Sequence, residues 1–197
     1  MSKLLPVVAI GAGGTAVISG VGGYLLSTQN TKTIKESFKD ALIDLTSKED
    51  TLLKEKLKKL KSGKVNSNNT KLSDAKSKIT DGTDGGLAEL KQACQEIYDS
   101  GFTNKESKIF LDFQAYCART NKDKITNGRW FDTGANWKTR YGKLNGSLAP
   151  KLAEIKSKNS STGDELKDWC NEVADLVFEG DTDLNYINAQ TYCGKTD

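Results

Sequence analysis

Not one histidine occurs among the 197 residues of this chain. That removes the commonest general base at neutral pH, the Ser-His and Cys-His arrangements of nucleophilic catalysis, and the imidazole ligand of many metal sites. Carboxylates are plentiful but are interspersed with lysines on polar helix faces, so the chain reads as a non-enzyme with no cofactor and no bound metal. Cysteine is scarce: four residues, the first at Cys94, with no C-x-x-C pair to suggest zinc. The two prolines, Pro6 and Pro150, and the lack of any sustained apolar/polar alternation argue against a β-sandwich. An excess of one charge is missing too. Lys and Arg number 29 against 26 Asp and Glu, a net charge of +3, which gives no reason to expect a nucleic-acid partner.

One long uncharged run is present, from Leu4 to Leu26. At about 1.5 Å per residue it matches the roughly 30 Å hydrocarbon core of a bilayer, so residues 1–26 are expected to be a membrane span or signal anchor, with membrane lipid as the partner of residues 4–26. Gly11, Thr15, Ser19 and Gly23 recur at a spacing of four, the pattern that lets two spans approach as a homodimer. The alternative is a secretory signal with Lys3 as its positive start and cleavage near Gly20 to Gly23, which would release a secreted domain. The run exceeds the usual apolar core of a signal, which favours retention. Paired cysteines belong to oxidising compartments, which places the carboxyl-terminal part outside the cell as a single-pass membrane protein.

Helical periodicity dominates the rest, and the fold class is all-α. Residues 27–88 are expected to form a helical stalk with linkers. Ile34, Phe38, Ala41, Leu42 and Leu45 make one apolar stripe, continued by Leu52, Leu53, Leu57 and Leu60 in a helix capped by Ser47 or Asp50. A short helix spans Leu72 to Ile79. The stretch Lys54 to Lys64 holds six lysines and one glutamate and reads as a solvated helix face. In the Thr80 to Gly86 loop, Asp81 and Asp84 lack the twelve-residue pattern of a calcium loop. Beyond it, Leu87, Leu90, Cys94 and Ile97 share a helix face that ends at Gly101 as C-cap, and Ile109, Phe110, Phe113 and Cys117 mark the partner helix. Residues 89–125 thus form a first helix-pair repeat. Residues 126–197 comprise a connector, a helix capped by Ser147 with Leu148, Leu152 and Ile155, and a second helix-pair repeat.

The repeats are visible directly. Glu89 to Cys117 aligns with Glu165 to Cys193 without a gap at an offset of 76 (165 − 89), with ten of 29 positions identical and all four cysteines superimposed. In each copy the cysteines are 23 apart (117 − 94 and 193 − 170). Four cysteines allow three pairings, and a duplicated unit that carries its own bond predicts Cys94 with Cys117 and Cys170 with Cys193. Trp130, Phe131 and Trp137 flank a Gly-rich connector and are the candidate binding anchors.

The short polar start, the glycine-rich run ending in Gly-Gly-Tyr-Leu-Leu-Ser at 22–27, the Lys/Glu-rich helical exterior and the repeated Leu-Lys-x-Ala/Trp-Cys unit with its distal Tyr-Cys resemble the paralogous uncharacterised membrane and surface proteins of haemotropic mycoplasmas. Members of that family carry Trp-Cys, a form that Trp169-Cys170 matches, whereas Ala93-Cys94, Tyr116-Cys117 and Tyr192-Cys193 depart from it. The resemblance implies surface display on a wall-less bacterium, with a role as antigen or in contact with a host surface molecule. The alternative is a secreted or tethered solute-binding module, which calls for a pocket between the repeats lined by Trp130, Trp137 and Trp169.

Overall fold

The computed structural model describes residues 32–79, 85–125, 130–131, 135–159 and 162–194. The expected span at 4–26, its small-residue stripe and the Asp81/Asp84 loop lie outside the described residues. Among the described residues the structure is helical throughout, with ten α-helices and four isolated antiparallel bridges, and no helix is long and apolar enough to cross a membrane.

Both cysteine pairs form within their copies, Cys94–Cys117 with Cα atoms 5.2 Å apart and Cys170–Cys193 at 5.6 Å. Each bond joins a long helix to the next. In the first copy α4 (Leu87–Asp99) buries Leu90, Ala93, Cys94, Ile97 and Tyr98; in the second α9 (Asp164–Ala174) buries Leu166, Trp169, Cys170, Val173 and Ala174. These are the same five positions at an offset of 76, the i, i+3, i+4, i+7, i+8 stripe of a helix with one buried face. The partner helices start alike. Ser107 accepts from Phe110 N at the start of α5 (Lys108–Asp112), and Asp183 from Tyr186 N at the start of α10 (Leu184–Tyr192). They end differently, since α5 widens into a π turn over Phe113–Cys117.

The duplication extends well upstream of the aligned sequence. Thr33 caps the one-turn helix α1 (Ile34–Ser37) in a capping box with Glu36, and Thr120 caps α6 (Asn121–Lys124) in the same way with Asp123. Ile34 N donates to Ser100 O and Phe102 N to Lys32 O; 87 residues on for the turn, and 76 on for its partner strand, Asn121 N donates to Leu176 O and Phe178 N to Arg119 O. The expected C-cap Gly101 instead bridges Thr33, as Val177 bridges Thr120. A third correspondence links α3 (Thr70–Ser77) to α8 (Pro150–Ser157) at an offset of 80, with Leu72 and Ala75 buried in one and Leu152 and Ile155 in the other. The unit therefore consists of two lobes, residues 32–118 and 119–194, each a capped turn, a variable helix, a short helix and a disulfide-tied helix pair.

The segment expected to be a stalk is part of the first lobe. Ile34, Phe38, Ala41, Leu53, Leu57, Leu60 and Leu72 share one core with α4 and α5. Their stripe is not one continuous helix: α1 stops after a turn, a 3-10 turn covers Lys39–Ala41, and Ala41 O receives Arg119 N (2.7 Å) as the chain straightens at Leu42. Phe38 then packs among Phe102, Phe110 and Phe113 with ring centroids 5.0–5.6 Å apart. The long helix α2 (Asp50–Ser62) begins after a 3-10 turn whose cap is Thr46, not Ser47 or Asp50. Its counterpart in the second lobe is the shorter α7 (Trp137–Gly142), packed on α9, where Trp169 takes the place of Ala93 and adds bulk to the core. Gly86, at φ 94°, lets α3 end directly against the start of α4, because a side chain there would strike Ala75 O.

Two buried polar residues at equivalent positions hold the loop before the short helix in each lobe. Asp112 accepts from Asn66 N (2.8 Å), Asn66 Nδ2 (3.0 Å) and Ser67 N (2.7 Å). Asn188 accepts from Ala149 N (2.7 Å) and donates to Ser147 O (3.1 Å). The start of α8 is thus satisfied by Asn188, 39 residues downstream, and Ser147 does not cap it.

Candidate functional site

The lobes meet through charged pairs. Lys56 Nζ reaches Asp123 Oδ2 (2.5 Å) with both side chains largely buried, Lys59 pairs with Asp175 (2.9 Å), Lys105 with Glu179 (2.5 Å) and Arg119 with Glu49. The lysine run at 54–64 was expected to be a solvated face; Lys56 and Lys59 instead tie α2 to the second lobe. Arg119 governs Glu49. Burial pushes the Glu49 carboxyl up, but the hydrogen bonds from Arg119 and Asp44 N and the guanidinium charge together hold it below its usual 4.5. Nearby, Tyr98 is driven far above the usual phenol range by burial, and its hydroxyl donates to Cys117 O (2.7 Å) while accepting from Ile43 N (3.1 Å).

Beside these pairs lies a cleft of about 190 Å³. The first lobe contributes Lys105, Phe110 and Gln114; the second contributes Asn121, Leu176, Val177, Glu179, Asp183 and Asn185. Its wall is apolar where Phe110, Leu176 and Val177 face it. Gln114 Nε2 donates to Asp175 O (3.1 Å) and Asp183 accepts from Tyr186 N (3.0 Å), so these two are held by the backbone.

Asn121 is different. It is 1 % exposed, its Nδ2 donates to Val173 O (3.1 Å), and its Oδ1 receives no hydrogen bond among the described residues. The donation to a carbonyl fixes which end of the amide is oxygen. A buried acceptor left unmatched costs roughly 1–3 kcal/mol. The duplication supplies a control for that cost. The residue at the same place in the first lobe, with the same backbone hydrogen bond to the end of the long helix, is Ile34, fully buried in the core. The local fold is therefore met by an aliphatic side chain, and nothing about the turn requires an amide.

The aromatic trio lies elsewhere. Trp130, Phe131 and Trp137 are half-buried and pack on the second core, Phe131 meeting Trp137 edge to face at 4.5 Å. Phe131 N donates to Cys193 O (2.8 Å), and Arg140 covers Trp137 (5.6 Å) while donating to Tyr192 O (2.8 Å) and Gly194 O (2.5 Å). The trio fastens the connector to the end of α10, and neither it nor Trp169 lines the inter-lobe cleft. The four glutamates of the repeats also fail to converge there. Glu89 pairs with Lys78, Glu96 with Asn69 (2.9 Å) and Glu172 with Lys151, while Glu165 lies in the field of Lys158.

A second, shallower depression is lined by Leu42, Ile43, Asp44, Lys48, Glu49 and Arg119. Both oxygens of Glu49 are engaged there, by Arg119 and by Asp44 N. No family model, no curated protein and no solved structure matches this chain.

Asn121 is the residue that sequence reasoning passed over. In Thr-Asn-Lys-Asp-Lys it looks like one more solvated position at a helix start, and its counterpart Ile34 emerges only when the two capped turns are superimposed.

Proposed function

We propose that this chain is a membrane-tethered surface protein whose two disulfide-tied lobes are displayed outside the cell, acting by contact with a host surface molecule, or as an antigen, and not by catalysis. The observation that carries this reading is the pairing of all four cysteines within their own lobes, a bonding pattern characteristic of oxidising compartments. It is supported by the uncharged run from Leu4 to Leu26, long enough to serve as an anchor. The resemblance in layout to the paralogous surface families of haemotropic mycoplasmas points the same way.

The test is protease treatment of intact cells expressing the chain, followed by peptide mapping. Display outside the cell predicts cleavage in the exposed 103–106 and 179–182 loops without cell lysis, with the fragments of each lobe still joined through its disulfide until reductant is added. Protection of all these segments in intact cells, with cleavage only after lysis, would reverse the topology.

A further inference from the structure

We propose that Asn145-Gly146 is a self-modification site, at which the asparagine converts spontaneously to isoaspartate and so releases the segment that the second lobe clasps with Tyr192 and Asn188. This goes beyond surface display and does not depend on it.

The chemistry needs only water. The Gly146 backbone nitrogen loses its proton to hydroxide and attacks Asn145 Cγ; the new N–Cγ bond replaces the bond from Cγ to Nδ2, and the side-chain nitrogen leaves as ammonia. Water then opens the cyclic imide. Cleavage of the imide N–Cγ bond gives aspartate, whereas cleavage between the imide nitrogen and the α-carbonyl carbon gives isoaspartate, in which the main chain runs through Cβ and Cγ and is one atom longer.

Three observations point to this place. The first is access. Asn145, Gly146 and Ser147 are exposed, Gly146 stands at φ 69°, and a Cβ built on it would meet nothing within 4 Å, so no side chain obstructs the approach of its nitrogen to Asn145 Cγ. The second is the duplication. Tyr116 donates to Lys64 O as Tyr192 donates to Asn145 O, so Lys64 and Val65 stand in the first lobe where Asn145 and Gly146 stand in the second. The clasp therefore forms without the reactive pair, and a lysine cannot close the imide. The third is what the clasp spans. Tyr192 Oη donates to Asn145 O (2.9 Å) and accepts from Asn145 N (3.2 Å), while Asn188, one turn earlier in α10, donates to Ser147 O (3.1 Å) and accepts from Ala149 N (2.7 Å). The segment is pinned to one helix on both sides of Gly146. A main chain lengthened by one atom between the pins cannot keep both, and the buried Asn188 amide is the one left unmatched when Ser147 and Ala149 move away. Conversion thus loosens the start of α8 in the second lobe alone.

The same dipeptide at Asn127-Gly128 lies outside the described residues and serves as an internal clock. The experiment ages the full chain in detergent micelles at mildly alkaline and mildly acidic pH, and peptide mapping by mass spectrometry locates each exchange of amide for acid and separates isoaspartate from aspartate. Asn145 is expected to convert, faster at alkaline pH and chiefly to isoaspartate. Hydrogen exchange of the Ala149 amide should then quicken about fivefold or more, the factor equivalent to one lost hydrogen bond, while the Asn66 and Ser67 amides of the first lobe keep their protection. Asn145→Lys, which installs the residue the first lobe uses and leaves the backbone bonds in place, should hold the Ala149 protection through the same ageing. The proposal is overturned if Asn145 remains an amide, whether or not Asn127 converts, if aspartate is the sole product, if Ala149 exchanges no faster in the isoaspartate form, or if Asn145→Lys loses protection on ageing as the wild type does.

Discussion

Tyr116 and Tyr192 make the same bond in the two lobes: the hydroxyl of one donates to Lys64 O (2.8 Å) and that of the other to Asn145 O (2.9 Å). Each tyrosine precedes a disulfide cysteine, so each Tyr-Cys pair fixes its helix twice, to the long helix through sulfur and to the loop before the short helix through the phenol. That accounts for the identity of these positions in the duplicated sequence. Conversion to phenylalanine removes the bond to Lys64 O in the first lobe, and in the second both the bond to Asn145 O and the one the hydroxyl accepts from Asn145 N (3.2 Å). Tyr116→Phe and Tyr192→Phe are each expected to lower stability by about 1 kcal/mol. Because the two tyrosines share no hydrogen-bond partner, the double variant should show the sum, measured by urea denaturation followed by circular dichroism.

Asp112 accepts three N–H donors from the Asn66–Ser67 segment while fully buried. Asp112→Asn turns one oxygen into a donor facing a donor, and Asp112→Ala strands all three. Both variants are expected to destabilise the first lobe, by about 1–3 kcal/mol for Asp112→Asn and more for Asp112→Ala. Hydrogen exchange of the Asn66 and Ser67 amides checks the location, since these should lose protection before α9 does.

Removing a disulfide acts mainly on the unfolded chain. For a separation of 23 residues the chain-entropy relation gives about 3 kcal/mol, so Cys170→Ala/Cys193→Ala and Cys94→Ala/Cys117→Ala should cost similar amounts. Thermal unfolding of each double variant in oxidising buffer makes the comparison. A much larger loss in one lobe would show that the two cores are not energetically equivalent.

Acid sensitivity follows from the carboxylates. Glu49 is held below its usual 4.5, and the exposed Glu36 and Asp44 and the half-buried Glu89 are lowered too, by the Thr33 N–H, the Thr46 N–H and the Lys78 hydrogen bond respectively. A carboxyl whose folded-state value is depressed contributes stability above its unfolded value and loses it as pH falls through the folded value. The urea midpoint should therefore be flat from neutrality down to about pH 4.5 and fall below it. Glu49→Gln should flatten part of that fall and lower the plateau, since Arg119 then loses its charged partner.

Much of this arrangement was legible in the residues. The apolar stripe of α4 recurs in α9 at a constant offset, and equal cysteine spacing foretold both disulfides. The upstream half of the duplication was hidden because its offset is not constant: 87 for the capped turn, 80 for the short helix and 76 for the helix pair. Loops of different length between these elements shift the register, so an ungapped alignment finds only the last part. The stripe from Ile34 to Leu45 misled for another reason. Its spacing suits a helix, but a long-range bond from Arg119 N to Ala41 O draws the chain out of helical geometry, and a partner 78 residues away leaves no local trace. The lysine run similarly concealed Lys56, whose buried position is set by Asp123 across the lobe boundary.

The reading of an exported, duplicated and internally bonded domain is tested most directly by mass spectrometry of unreduced peptides from protein isolated from intact cells, with free thiols blocked at lysis. Two cross-linked species are expected, Cys94 with Cys117 and Cys170 with Cys193, and no blocked cysteine. Four blocked thiols, or any link between the lobes such as Cys94 with Cys170, would contradict it.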